Sequence, residues 1–170
     1  MTDAEHDDGT RSITVTHTID AAREYVFEAW TEVRHLAEWF GPDGFTTTTT
    51  AFDFRPGGVW SFVMHAPDGT NYPNWVEWLE IERPERIVWR HGEHANDPNA
   101  FLSRVTFDAH ARTTVLTLHT IFNTTAQRDE KVERYGAIEG ARQTLARLGA
   151  HVTKHSPTRA ERRTDIEDQP

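Results

Sequence analysis

TTAQRDEKVERYGAIEGARQTLARLGAHV (residues 124–152) is the stretch on which the fold turns. Thr124 followed three residues later by Gln127 fits a capping box, in which the two side chains satisfy each other's free backbone donors at a helix start. Val132, Tyr135, Ile138, Ala141, Leu145, Leu148 and Val152 then recur every three or four residues. That spacing draws one apolar stripe along a helix of about 40 Å, at ~1.5 Å per residue. Gly136 and Gly140 fall inside it, each costing about 1 kcal/mol relative to alanine unless something approaches the helix closely there.

A long helix with one apolar face needs a surface to cover, and the preceding sequence supplies strands. SITVTHTI (12–19) alternates Ile13, Val15, His17 and Ile19 against a polar face. Asp20 is positioned to cap a helix over AAREYVFEAWT, and a second short helix is predicted over 33–40, ending at Gly41-Pro42. Strands are then predicted at 45–54, 59–66, 71–82, 86–91, 101–108 and 113–122, with a bulge expected near Pro73. Between them, Arg55-Pro56-Gly57-Gly58 is a turn in which Pro56 presets the first central position and Gly57 accepts positive φ at the second. Pro67-Asp68-Gly69 and Pro84 mark two further turns. Strands joined by tight turns form an antiparallel meander. The expected fold is therefore α+β: about seven strands in a curved sheet wrapped around the C-terminal helix, with two short helices after the first strand plugging the mouth.

The length of 170 residues suits one domain. Residues 1–10 and 154–170 are polar and charged and read as disordered tails around a single domain at 11–153. The formal net charge of −9 argues against non-specific binding to nucleic acid or anionic lipid. With no cysteine, disulfides, thiolate catalysis and cysteine-ligated zinc are excluded. No apolar run approaches the ~20 residues that span a bilayer, and no basic-then-apolar leader opens the sequence. The expectation is a cytoplasmic protein with no membrane or nucleic-acid partner.

Three stretches, DFRPGGVWSFVMHAPDG (53–69), EIERPERIVWRHG (80–92) and YGAIEGARQTLARLGAHV (135–152), resemble the START/SRPBCC superfamily. The similarity runs from about residue 12 to residue 152, within the branch named for homology to the activator of the heat-shock protein 90 ATPase. The resemblance implies a helix-grip fold with a hydrophobic cavity. It implies no single reaction: members bind lipids, hormones or polyketides, and some catalyse cyclisation or dehydration. The eukaryotic activator also has a separate N-terminal domain that contacts the chaperone. These residues hold no counterpart of it, so a chaperone partner is the weaker expectation.

Candidate ligand-binding residues are the rings and neighbours placed on inward faces: Trp39, Phe40, Trp60, Phe62, Met64, Trp78, Trp89, His91, Tyr135 and Glu139. Aromatic residues dominate cores generally, but several tryptophans sharing one small core pack imperfectly and leave gaps. Alternation puts Glu80 on the same face as Val76 and Trp78, opposite to Glu77, so Glu80 is the inward acid. An unpaired inward glutamate has a raised pKa and can act as general acid or base; an ion pair with Arg86 or Arg104 is its commoner role. His91 shares a face with Trp89 and can present a titratable ring. His91, Glu93 and His94 lie at a strand end where nothing fixes metal geometry, so no metal and no cofactor is expected. No nucleophile elbow, zincin, P-loop or dinucleotide motif is present. The leading expectation is binding of an apolar, aromatic or polyketide-like small molecule. The alternatives are a cyclase- or dehydratase-like enzyme using Glu80, His91 or Tyr135 for proton transfer, and a chaperone-activating interaction module.

Overall fold

Inward-facing β-branched and aromatic residues, repeated at every second position of seven consecutive segments, produce one continuous antiparallel sheet. The computed structural model describes residues 9–155. In chain order it contains β1 (Ser12–Ile19), α1 (Arg23–Glu28), α2 (Val33–Trp39), β2 (Thr46–Phe52), β3 (Val59–His65), β4 (Asn71–Glu82), β5 (Arg86–Gly92), β6 (Phe101–His110), β7 (Thr113–Ile121), α3 (Thr125–Tyr135) and α4 (Ala137–His155). The sheet order is β1-β7-β6-β5-β4-β3-β2, so the meander from β2 to β7 is completed by β1 lying beside β7. The tails expected at 1–10 and 154–170 lie mostly outside the described residues, and Lys154 and His155 belong to α4.

The turns behave as their chemistry dictates. Gly57 has φ 83°, and Gly58 N–H donates to Arg55 C=O at 2.8 Å. Gly57 N–H and Gly58 C=O are both bonded to the Trp78 backbone, which ties this turn to β4. A Cβ on Gly58 would stand 2.1 Å from the Asp53 carbonyl oxygen, so only glycine fits.

Three expectations are corrected. Asp20 does not cap the first helix; the N-cap is Ala22, with no side-chain bond, and the helix spans only Arg23–Glu28. The C-terminal helix is two helices. Gly136 adopts a left-handed conformation (φ 61°, ψ 41°) and its N–H bonds back to Val132 C=O, ending α3 one residue before α4 begins. The side-chain periodicity continues across that break, which is why it reads as one helix. Last, the β4 bulge is not at Pro73, which pairs normally with Val63, but at Leu79: Trp78 faces Trp89 while Glu80 faces Val88.

Of the capping box, one half forms. Thr124 Oγ1 accepts the Gln127 N–H at 3.0 Å, while Gln127 Oε1 reaches past Thr124 to the Asn123 N–H at 2.9 Å. The core lies between the concave sheet face and α1, α2 and α4; Val26, Phe27, Leu36, Leu145 and Leu148 are all fully buried.

Substituting Gly58→Ala is expected to destabilise the fold by about 2–3 kcal/mol through overpacking against the Asp53 carbonyl. Gly57→Ala, which meets nothing within 4 Å, should cost only about 1 kcal/mol of left-handed strain. Chemical denaturation of both variants checks the order; equal losses would refute the steric account.

Candidate functional site

The rings under the sheet divide the concave face into a filled half and a hollow half. In the filled half Trp60 stacks on Phe62 with centroids 3.7 Å apart, and Phe40 meets both edge-on at 4.8 and 5.5 Å. Trp78 lies parallel to Trp60 at 6.3 Å. Trp30 meets Trp39 edge-on at 4.8 Å and Trp89 at 5.5 Å. Trp39, Trp60, Phe62 and Trp78 are thus packed core and do not line a cavity.

The hollow half is a cavity of about 1090 Å³. Its floor is the end of the sheet where β5 finishes, β6 begins and β7 finishes; its walls are α3, the first half of α4 and the loop 93–99. Of the residues expected at the site, Phe40, Met64, Trp89, His91 and Tyr135 line it. Glu139 does not: it is exposed on α4 and pairs with Arg142 at 3.7 Å. Glu80 also leaves the site. The extra residue at Leu79 reverses the alternation beyond Trp78, so that Ile81 turns towards the core. Glu80 stands exposed, 3.1 Å from Arg86, which also holds Glu82 at 3.1 Å.

His91 is held in one protonation state. Asn74 Nδ2 donates to Tyr72 C=O at 2.8 Å, which turns Asn74 Oδ1 towards His91, and His91 Nε2–H donates to that oxygen at 2.7 Å. On the other side Trp89 Nε1–H faces His91 Nδ1 at 3.4 Å, leaving that nitrogen as an acceptor. The ring stacks on Phe101 with centroids 5.1 Å apart. Desolvation by this packing, and secondarily the charge of Lys131, lowers the His91 pKa to about 4. It therefore presents a neutral imidazole at neutral pH.

Sequence reading missed several cavity residues. Ser103, on the inward face of β6 between Phe101 and Val105, is almost fully buried, and its Oγ lies 3.4 Å from Thr120 Oγ1 on β7. A serine interrupting the apolar face of a strand was the available signal. Trp30 and Lys131 also line the cavity, and no local pattern marks either.

Two polar seams fix the walls. Arg147 of α4 donates to the Gly41 and Pro42 carbonyls at 2.8 and 2.9 Å and to Glu38 C=O at 3.2 Å. Across the mouth, Asp97 accepts the Glu93 and Asn99 N–H groups, both at 2.9 Å, and these bonds hold its carboxyl below the usual range. Gln127 Nε2 donates to Asn99 C=O at 2.7 Å and Asn123 Nδ2 to Ala100 C=O at 3.0 Å, anchoring the loop to the start of α3. Among the described residues no group of three His, Asp or Glu side chains is arranged to hold a metal ion. None of the described helices is long and apolar enough to cross a membrane.

A curved seven-stranded sheet gripping a C-terminal helix over one hollow end defines a helix-grip domain of the START/SRPBCC type, a ligand-binding class of fold. The chain belongs to the family described as activator of Hsp90 ATPase homolog 1-like protein, whose model matches residues 20–153. Among solved structures, a Mycobacterium smegmatis protein is 26% identical with a TM-score of 0.77, covering 89% of this chain and 96% of that one. A Nitrosomonas europaea protein is 24% identical with a TM-score of 0.79, covering 87% and 97%. A Silicibacter pomeroyi protein is 21% identical with a TM-score of 0.66, covering 85% and 99%. No curated protein matches the chain.

The unfolded-state histidine titrates near 6.5, and His91 in the fold near 4. Between those values the unfolded chain binds the proton and the folded one does not, so this residue withdraws stability as pH falls through that window. NMR titration of the imidazole carbon-bound protons should show His91 as the residue with a midpoint near 4. A midpoint near 6.5 would mean a solvated ring and a differently formed cavity wall.

Proposed function

We propose that this chain is a cytoplasmic small-molecule-binding domain that takes a mostly apolar ligand into the cavity between the sheet end, α3 and α4. The observation that carries the reading is the hollow itself. Interiors pack to the density of organic crystals, with few voids larger than a water molecule. A space of about 1090 Å³, open at its mouth, is room that the tightly stacked aromatic half of the same sheet face does not leave. Its size lies just above the roughly 300–1000 Å³ typical of ligand pockets. Trp30, Trp89, Phe101, Leu118 and Phe122 give it apolar surface, while Ser103 and Thr120 offer a few placed polar atoms.

Binding is favoured over chemistry by what surrounds those polar atoms. Glu80 is outside the cavity, and both ring nitrogens of His91 are already engaged. A proton-transfer mechanism through either residue lacks a free inward acid or base. Binding to a small ligand is also favoured over docking to a chaperone, which calls for an exposed apolar patch. The large hydrophobic side chains exposed among the described residues are Tyr25, Tyr72 and Tyr135, and the last two belong to the cavity lining.

N-phenyl-1-naphthylamine, a neutral apolar fluorophore, should quench emission from Trp30 and Trp89 on binding and shift its own emission to the blue. Ala141→Phe, which fills part of the cavity, should weaken that binding at least ~10-fold, whereas Glu80→Gln should leave it unchanged. Thermal unfolding would confirm that both variants fold. No change in emission with this probe, or equal loss in both variants, would sink the cavity reading.

A further inference from the structure

We propose that the ligand is an anionic amphiphile, an apolar molecule with one acidic head group that sits on Lys131 at the cavity wall; this rests on the cavity being the binding site. Lys131 is half-buried, projects from α3 and lines the cavity. Its ammonium lies 5.1 Å from the centre of the Tyr135 ring, and no carboxylate among the described residues pairs with it. A half-buried ammonium with no carboxylate in direct contact leaves its donors open to an acidic head group, which would bind it by charge-assisted hydrogen bonds.

The neighbouring acids are otherwise engaged or turned to solvent. Asp97 feels the charge of Lys131, but both its oxygens accept backbone N–H groups within its own loop. Glu130 pairs with Arg134 at 3.6 Å. Glu93 is exposed on the rim. Of the two histidines in the lining, His91 is neutral and His94 stands exposed on the rim with Nδ1 at 3.0 Å from the Ala95 carbonyl, so Lys131 is the half-buried cation a ligand head would meet. The apolar body would lie against Trp30, Trp89, Phe101 and Phe122. The net charge of −9 opposes anions in general, so a preference for one requires a local cation.

The test uses a matched pair, 1-pyrenebutyrate and 1-pyrenebutanol, which share the apolar body and differ in the head. Energy transfer from tryptophan to pyrene reports occupancy for both. The acid is expected to bind at least ~10-fold tighter than the alcohol, in line with the greater strength of charge-assisted hydrogen bonds. Lys131→Met should bring the two affinities within about 2-fold of each other, and Lys131→Arg should restore the preference. Equal affinity of the unaltered protein for acid and alcohol, with energy transfer intact, would overturn the head-group assignment and leave the cavity reading standing. A preference that survives Lys131→Met would overturn it as well. Absence of energy transfer from either probe would overturn both readings.

Discussion

Backbone carbonyls that leave a helix and turn under another element must find donors, and here one side chain supplies them. Arg147 carries the end of α2 and the following turn on a single guanidinium, bonded to Glu38, Gly41 and Pro42. A cation at a helix C-terminus also meets the negative end of the helix dipole. Gln143, one turn earlier on α4, adds the Asp43 N–H at 3.1 Å. The close approach this enforces is visible in two glycines: a Cβ on Gly41 would meet Met64 at 2.8 Å, and one on Gly140 would meet Pro42 at 3.4 Å. Phe40 is delivered by this seam to the boundary between the stacked rings and the cavity. The division of the concave face therefore depends on a polar contact as much as on apolar packing.

The cavity's electrostatics follow from the same economy of partners. His91 is flanked by a donor on Nδ1 and an acceptor on Nε2, so protonation would set two donors against each other besides charging a desolvated ring. Its neutrality leaves Lys131 as the one lysine or arginine of the lining among the described residues, beside the rim carboxylates of Glu93, Asp97 and Glu130. Asp97 feels that ammonium through space, but its oxygens are bonded to backbone N–H groups and Glu130 pairs with Arg134, so neither closes on Lys131 as a contact ion pair.

Much of the fold was legible because it rests on local signals. The strand alternation, the Pro56-Gly57 turn and the apolar stripe of α4 each declare themselves within a dozen residues, and the family motifs put them in order. Two of the three errors in the fold share one cause: a single inserted or left-handed residue changes the geometry without changing the pattern. The bulge at Leu79 reversed the face of Glu80, and Gly136 broke a helix whose side-chain period continues through it. The site was half legible for a different reason. Phe40, Met64, Trp89, His91 and Tyr135 were placed in the cavity, but Trp39, Trp60, Phe62 and Trp78 have the same residue types and inward facing. Only position along the elements, which decides whether a ring meets other rings or empty space, separates the two sets. Lys131 carries no mark in sequence because its place in the cavity wall depends on how α3 packs over the end of the sheet.

The break at Gly136 divides the cover of the sheet into parts of unequal strength. Leu145, Leu148 and Val152 bury α4 in the core, so α4 shares the stability of the whole domain. No residue of α3 is fully buried. Polar contacts dominate its hold on the fold: its start is clamped to the loop 93–99 through Asn123 and Gln127, and Arg128 donates to Ser12 C=O at 3.3 Å. Segments held by few buried apolar contacts open at lower free energy than the global unfolding of the domain. A straight continuation of α4 would have linked any movement of this wall to the core. A glycine in the left-handed conformation separates them, so α3, with Lys131 on its inner side, is held less firmly by apolar burial than the α4 part of the cavity wall.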